Sequence, residues 1–136
     1  NHEYFIHKYN VSNQIKEVLE KFNKNLIKIK NDKEFFEKDL IKNVYFNGKN
    51  HLKALNSINF VINPNKKIND FLKIFNKILK IKIPIFPING ELLKQKGMKE
   101  GQSLGQVLKS LEEEWINNDF KISNERIEEV IKINSN

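Results

Sequence analysis

Apolar side chains recur at helical spacing along most of the chain. Ile15, Val18, Leu19, Phe22 and Leu26 keep a period of three to four residues, which predicts a helix through Leu26, and Ser12 offers its N-cap. Asp32 is placed to cap a second helix, whose buried stripe is Phe35, Phe36, Leu40 and Val44, and which ends at Tyr45-Phe46-Asn47-Gly48 in an Asn-Gly turn. A third begins at Lys49 and runs through Phe60 on Leu52, Ala54, Leu55 and Ile58. After the Asn63-Pro64-Asn65 break, Lys66 to Ile81 carries the clearest pattern: Ile68, Phe71, Leu72, Phe75, Ile78 and Leu79 face inward, and Lys66, Lys73, Lys77 and Lys80 face away. The first ten residues, with Tyr4, Phe5, Ile6 and Tyr9, read as the end of a helix belonging to whatever precedes them.

Punctuation then concentrates between residues 83 and 118, which hold four of the five glycines and two of the three prolines, so no helix runs through the start of this stretch. Pro84 and Pro87 bias Ile83 and Phe86 toward extended backbone. Asn89 caps a short helix from Glu91 to Lys96, and Gly97 stops it in a left-handed conformation. Gly101 opens a longer helix with Leu104, Val107, Leu108, Leu111 and Trp115 on one face. Trp115 and Phe120 close a small C-terminal core, and Ser123 or Asn124 caps a last helix with Ile127, Val130 and Ile131 inward. The expected fold is all-α: a compact bundle of about six to seven short helices ending in a helix-turn-helix tail module. Its boundary falls at the Pro84 to Pro87 strap, giving a helical body over 1–82 and a tail over 83–136.

Composition narrows the functional classes. Hydrophobic residues make up 39% and charged residues 30%, the balance of a globular chain and not a disordered one. No apolar run approaches the roughly twenty residues a membrane span needs, so no membrane partner is expected. The absence of cysteine excludes disulfides, thiolate metal sites and cysteine nucleophiles, and fits a cytoplasmic or organelle-matrix setting. The start, Asn1-His2-Glu3-Tyr4, has neither an initiating methionine nor a secretion signal, which fits a chain that begins inside a longer protein. His2 and His7 stand five apart, not the four that align two ligands on a helix face, and His51 has no catalytic partner near it in sequence, so no metal site is expected.

Charge points to a polyanion. The net charge is +7, with sixteen lysines against eight acids in residues 1 to 80 and eight basic against nine acidic residues in 81 to 136. Of the 24 basic residues 23 are lysine, in a chain crowded with Asn and Ile, a composition that an A/T-rich coding sequence also produces. The lysine row from Lys66 to Lys80 reads equally as a track for a phosphate backbone or as a solvated helix face. In the turn Lys96-Gly97-Met98-Lys99-Glu100-Gly101-Gln102-Ser103, free amides at the start of the second helix either meet a phosphate, helped by Lys96 and Lys99, or are satisfied by Ser103. The candidate RNA contacts are Lys94, Lys96, Gly97, Lys99, Gly101, Gln102 and Ser103 at the turn, with Lys73 and Lys77 in the body.

The residues Phe86-Pro87-Ile88-Asn89-Gly90, Leu92-Leu93, Gly97, Gly101, Leu104-Gly105, Leu108, Leu111, Trp115 and Phe120 resemble the C-terminal tail module of class II CCA-adding enzymes. In these tRNA nucleotidyltransferases, related to bacterial poly(A) polymerases, the same order runs from a Phe-Pro opening through a Gly-x-x-x-Gly-type turn and a Gly-containing helix to a Trp near its end. The similarity spans about fifty residues, from Pro84 to about Ile133, and includes a strand-like Asp119-Phe120-Lys121; Tyr45 and Gly48 add a weaker likeness to a Tyr-x-x-Gly stretch before the tail. The resemblance implies that body and tail bind the acceptor arm and elbow of tRNA. It also implies a catalytic head and a neck before residue 1, joined in cis or supplied in trans, using magnesium with CTP and ATP.

None of that chemistry can be placed on these residues. Asp32, Asp39, Asp70 and Asp119 are too far apart in sequence for the Asp-x-Asp pair that holds magnesium on a triphosphate, and no phosphate-binding glycine loop or hydrolase motif is present. Glu112-Glu113-Glu114 point in different directions around their helix and form no acid and base pair. The chain therefore reads as a tRNA-holding part without catalytic residues of its own. The alternative is a helical module that packs against a protein partner.

Overall fold

The computed structural model describes residues 13–135. Ser12, His2, His7 and the expected helix end before residue 11 lie outside them. Seven α-helices and no strand occur among the described residues, so the fold is all-α. They are α1 (Asn13–Asn31), α2 (Leu40–Asn47), α3 (Lys49–Ile62), α4 (Ile68–Lys80), α5 (Gly90–Gln95), α6 (Gln102–Asn117) and α7 (Asn124–Asn134). The chain divides between Ile83 and Pro84 into two compact units, each with its own core.

In the first unit α1 runs five residues beyond Leu26, because its packed stripe continues as Phe22, Leu26 and Ile29. Lys28 and Lys30 in its last turn suit the negative end of the helix dipole. Asp32 does not cap a helix. Its Oδ1 accepts from the Glu34 N–H at 2.9 Å, and residues 33–39 form successive turns before α2 begins at Leu40. Phe35 and Phe36 are both buried and touch edge to face at 5.0 Å between centroids. A regular helix would point such neighbours about 100° apart, and the turns let both enter the core. Asn43 secures them by donating from Nδ2 to the Phe35 carbonyl at 2.9 Å.

Gly48 joins α2 to α3. At φ +84° it occupies a region costly for any residue with a Cβ, and its N–H donates to the Val44 carbonyl at 2.8 Å. Val44, Leu52, Leu55 and Ile78 are all at 0% exposure, and each such side chain contributes roughly 1.5–3 kcal/mol of apolar burial. Here α4 departs from expectation. Its buried side is Ile78 with Ile74 and Ile81 packed on the core, whereas Ile68, Leu72 and Leu79 are 53, 46 and 45% exposed. The apolar arc of α4 is wider than the surface α3 and α2 present to it, and one edge stays in water. Asn56, fully buried in α3, donates from Nδ2 to the Phe71 carbonyl of α4 at 3.1 Å, and its Oδ1 has no partner among the described residues.

The second unit is built on Leu93 and Met98, on Leu104, Val107 and Leu111 of α6, and on Ile127, Val130 and Ile131 of α7. Trp115, 3% exposed, lies between Phe86 at 5.3 Å and Phe120 at 5.0 Å between ring centroids. Asp119 and Phe120 are not strand-like: both take left-handed φ, 52° and 60°. The Phe120 N–H donates to the Trp115 carbonyl at 2.8 Å and Asn118 Nδ2 to the Lys121 carbonyl at 3.0 Å, so the reversal that brings the Phe120 ring onto Trp115 holds this backbone. Ser123 caps α7, accepting from the Arg126 N–H at 3.1 Å.

Candidate nucleic-acid interface

The glycine turn is fixed by the residues on both sides of it. Asn89 Oδ1 accepts from the Leu92 N–H at 2.9 Å and starts α5. At the far end Gly97, φ +107°, donates to the Lys94 carbonyl at 3.0 Å, and Met98 donates to the Leu93 carbonyl at 3.0 Å. These paired bonds, with Met98 and Leu93 buried together, are the Schellman closure of a helix. Met98 thereby pins the middle of the turn to the core while Gly97, Lys99, Glu100, Gly101, Gln102 and Ser103 stay exposed. Gly101, φ +146°, precedes α6 without a side chain to cap it, and the Ser103 hydroxyl is hydrogen-bonded to none of the α6 amides. A Cβ at Gly97, Gly101 or Gly105 would meet nothing within 4 Å.

The charges at this turn are largely matched. Lys94 lies 3.5 Å from Glu91 and 3.4 Å from Glu100, and the Glu100 charge in particular raises its pKa above the ordinary 10.5. Lys96 pairs with Glu128 of α7 at 3.5 Å. Lys99 makes no ion pair among the described residues. Behind Gly97 an open groove of about 350 Å³ is lined by Lys96, Glu128, Ile131 and Lys132.

Seven of the nine expected contacts therefore belong to this turn: Lys94, Lys96, Gly97, Lys99, Gly101, Gln102 and Ser103. Lys73 and Lys77 lie on α4 in the other unit, where both are exposed and line a cleft of about 310 Å³ with Lys66, Asp70 and Glu37. A second cleft of about 470 Å³ adjoins it, sharing Phe36, Glu37, Lys66 and Ile74 and adding Lys30 and Lys33. Those last two lysines carry no periodic signal in the sequence. Lys30 reaches the cleft from the last turn of α1, and Lys33 from the turns over residues 33–39.

No family model, curated protein or solved structure matches the chain. Among the described residues, no three His, Cys, Asp or Glu side chains stand together as metal ligands, and no helix is long and apolar enough to cross a membrane. Asp32 and Asp39 lie in the connection between α1 and α2, Asp70 in α4 and Asp119 after α6, and no chemical step is assigned to them. His51 is a structural side chain. Asn25 Nδ2 donates to its Nε2 at 2.9 Å, the Phe22 ring lies tilted against it at 4.2 Å between centroids, and burial, then Lys21, lowers its pKa. The chain's one arginine, Arg126, is taken up by Glu114 and Glu129.

Proposed function

We propose that this chain is the tRNA-binding C-terminal part of a CCA-adding tRNA nucleotidyltransferase, holding tRNA by backbone and shape while a catalytic head outside these residues extends its 3′ end. The observation that carries the reading is the exposed glycine turn between α5 and α6. It is anchored by Met98 beneath and open at Gly97 and Gly101, so a polynucleotide backbone can approach without meeting a side chain. The order of Phe86, Pro87, Gly97, Gly101, Trp115 and Phe120 along the chain supports the same reading. Recognition by contour suits A-form RNA, whose base edges lie out of reach in a deep, narrow major groove.

The test is a fluorescence-anisotropy titration of the purified 136-residue chain with labelled tRNA and with an unrelated single strand of equal length. The chain binds tRNA in preference, with affinity falling as salt rises, and incorporates no labelled CTP or ATP. Equal affinity for the single strand overturns recognition by shape; incorporation of nucleotide overturns the placement of catalysis elsewhere.

A second reading, a helical protein-interaction module, is favoured by the exposed row of Ile68, Leu72 and Leu79 on α4. On that reading tRNA shows no preference over the single strand, and Ile68→Ser with Leu72→Ser abolishes association with the protein partner.

A further inference from the structure

We infer that the charge holding RNA resides in the two-walled groove of the first unit, between residues 30–37 and α4, and that its occupant is a phosphodiester backbone. The inference rests on the tRNA-binding reading and assigns its electrostatic part to a site other than the glycine turn.

Four observations converge on it. Described residues 13–83 carry sixteen lysines against seven carboxylates, whereas 84–135 carry seven basic residues against nine. At the glycine turn Lys94 and Lys96 already face carboxylates within 3.5 Å, so a phosphate arriving there must displace Glu91, Glu100 or Glu128. In the groove, by contrast, Lys30, Lys33, Lys66, Lys73 and Lys77 make no ion pair among the described residues, so their charge is available to a polyanion. They come from both sides, Lys30 and Lys33 from the end of α1 and the turn after it, Lys66, Lys73 and Lys77 from α4 and its approach.

Lys66 is common to both clefts, and its Nζ stands 5.9 Å over the ring of buried Phe36, which fixes one cation where the clefts meet. Asn59, only 6% exposed, lines the larger cleft. A carboxamide on a cleft wall carries a donor suited to a phosphate oxygen and an acceptor suited to a ribose hydroxyl. Lys73 and Lys77 are one turn apart on α4, about 6 Å along its axis, so the row follows a strand and does not grip one isolated anion.

Asp32 in the larger cleft, Asp70 in the smaller and Glu37 in both oppose a polyanion. Their neutralisation therefore strengthens binding, an effect that loss of fold cannot imitate.

The experiment compares variants of the full chain by anisotropy with labelled tRNA across a salt series, with thermal melts to confirm folding. Lys30→Glu with Lys33→Glu weakens binding at least about tenfold near 50 mM salt and flattens the slope of log affinity against log salt by about 1.5. Lys73→Glu with Lys77→Glu does the same, and Lys96→Glu with Lys99→Glu costs less than either. Glu37→Gln with Asp70→Asn tightens binding by about threefold. If tRNA binds in preference but the Lys30/Lys33 variant is unchanged, the two-walled groove is wrong and the tRNA reading stands. If tRNA shows no preference over a single strand, the reading and the groove fall together. If anionic lipid vesicles bind through the same lysines as tightly as tRNA does, RNA is the wrong occupant.

Discussion

Arg126 of α7 closes a two-point clamp on Glu114 of α6, donating from Nε at 3.0 Å and from Nη2 at 2.6 Å to the two carboxylate oxygens. A third bond from Nη1 reaches Glu129 at 3.0 Å. The clamp ties together two helices that otherwise meet through Leu111, Ile127 and Val130. The planar guanidinium fork fits both oxygens at once, which an ammonium cannot do.

Hydrogen bonds from Arg126, reinforced by its charge against the opposing effect of burial, hold the Glu114 carboxyl below its ordinary 4.5. A carboxylate depressed in the folded state contributes stability above its unfolded value and loses it as pH falls through the folded value. Arg126→Gln therefore lowers the melting temperature at neutral pH by a few degrees. Arg126→Lys recovers only part of this. The deficit of both variants shrinks as the buffer is taken below pH 4.5, where differential scanning calorimetry reads it directly.

His51 carries the second pH dependence. Burial, then the charge of Lys21, lowers its pKa from 6.5, and its Nε2 is occupied by Asn25. The unfolded chain binds the proton more tightly than the folded one, so stability is full above 6.5 and falls as pH drops through the lower folded value. Urea midpoints between pH 7 and pH 5 decline in the wild-type chain, and His51→Gln removes the His51 share of that decline. An unchanged slope in the variant would sink this assignment.

The uneven burial of α4 separates two residues of one apolar stripe. Ile78→Ala leaves a cavity in a fully enclosed site and costs about 2–4 kcal/mol. Leu72→Ala, at a half-exposed position, changes stability by less than about 0.5 kcal/mol. Urea denaturation of the two variants measures both.

Two glycines near the turn differ in sign. Gly97 sits at φ +107° with open space around it, so Gly97→Ala suffers from backbone strain alone and costs about 1–2 kcal/mol. Gly105 is an exposed residue inside α6 with no neighbour within 4 Å of a Cβ, so Gly105→Ala stabilises by about 0.5–1 kcal/mol. Thermal melts of the pair show a fall and a rise.

The tail helices are legible in the sequence because local and distant signals agree there. Asn89 caps, Gly97 stops, Leu104 to Trp115 keep one face and Ser123 caps again, so no alternative satisfies them as well. The body is less legible, for two reasons that are both tertiary. Seven apolar residues of α4 cover a broad arc, and only the shape of α3 decides that Ile74 and Ile78 go inward while Leu72 does not. Adjacent Phe35 and Phe36 mimic a helical stripe, yet burying both requires turns, and Lys33 reaches the cleft from those turns. Asp119 and Phe120 read as extended because nothing local demands left-handed backbone; the pull of the Trp115 ring does.

The oxygen of Asn56, which accepts from none of the described residues, makes the seam between α3 and α4 a place where opening is partly rewarded. Whenever the helices separate, water hydrates Oδ1 and recovers a desolvation cost of about 1–3 kcal/mol. Breathing of the first unit thus begins along this joint, and amide protons near Phe71 exchange with deuterium sooner than those around Leu111, which is fully enclosed among apolar side chains.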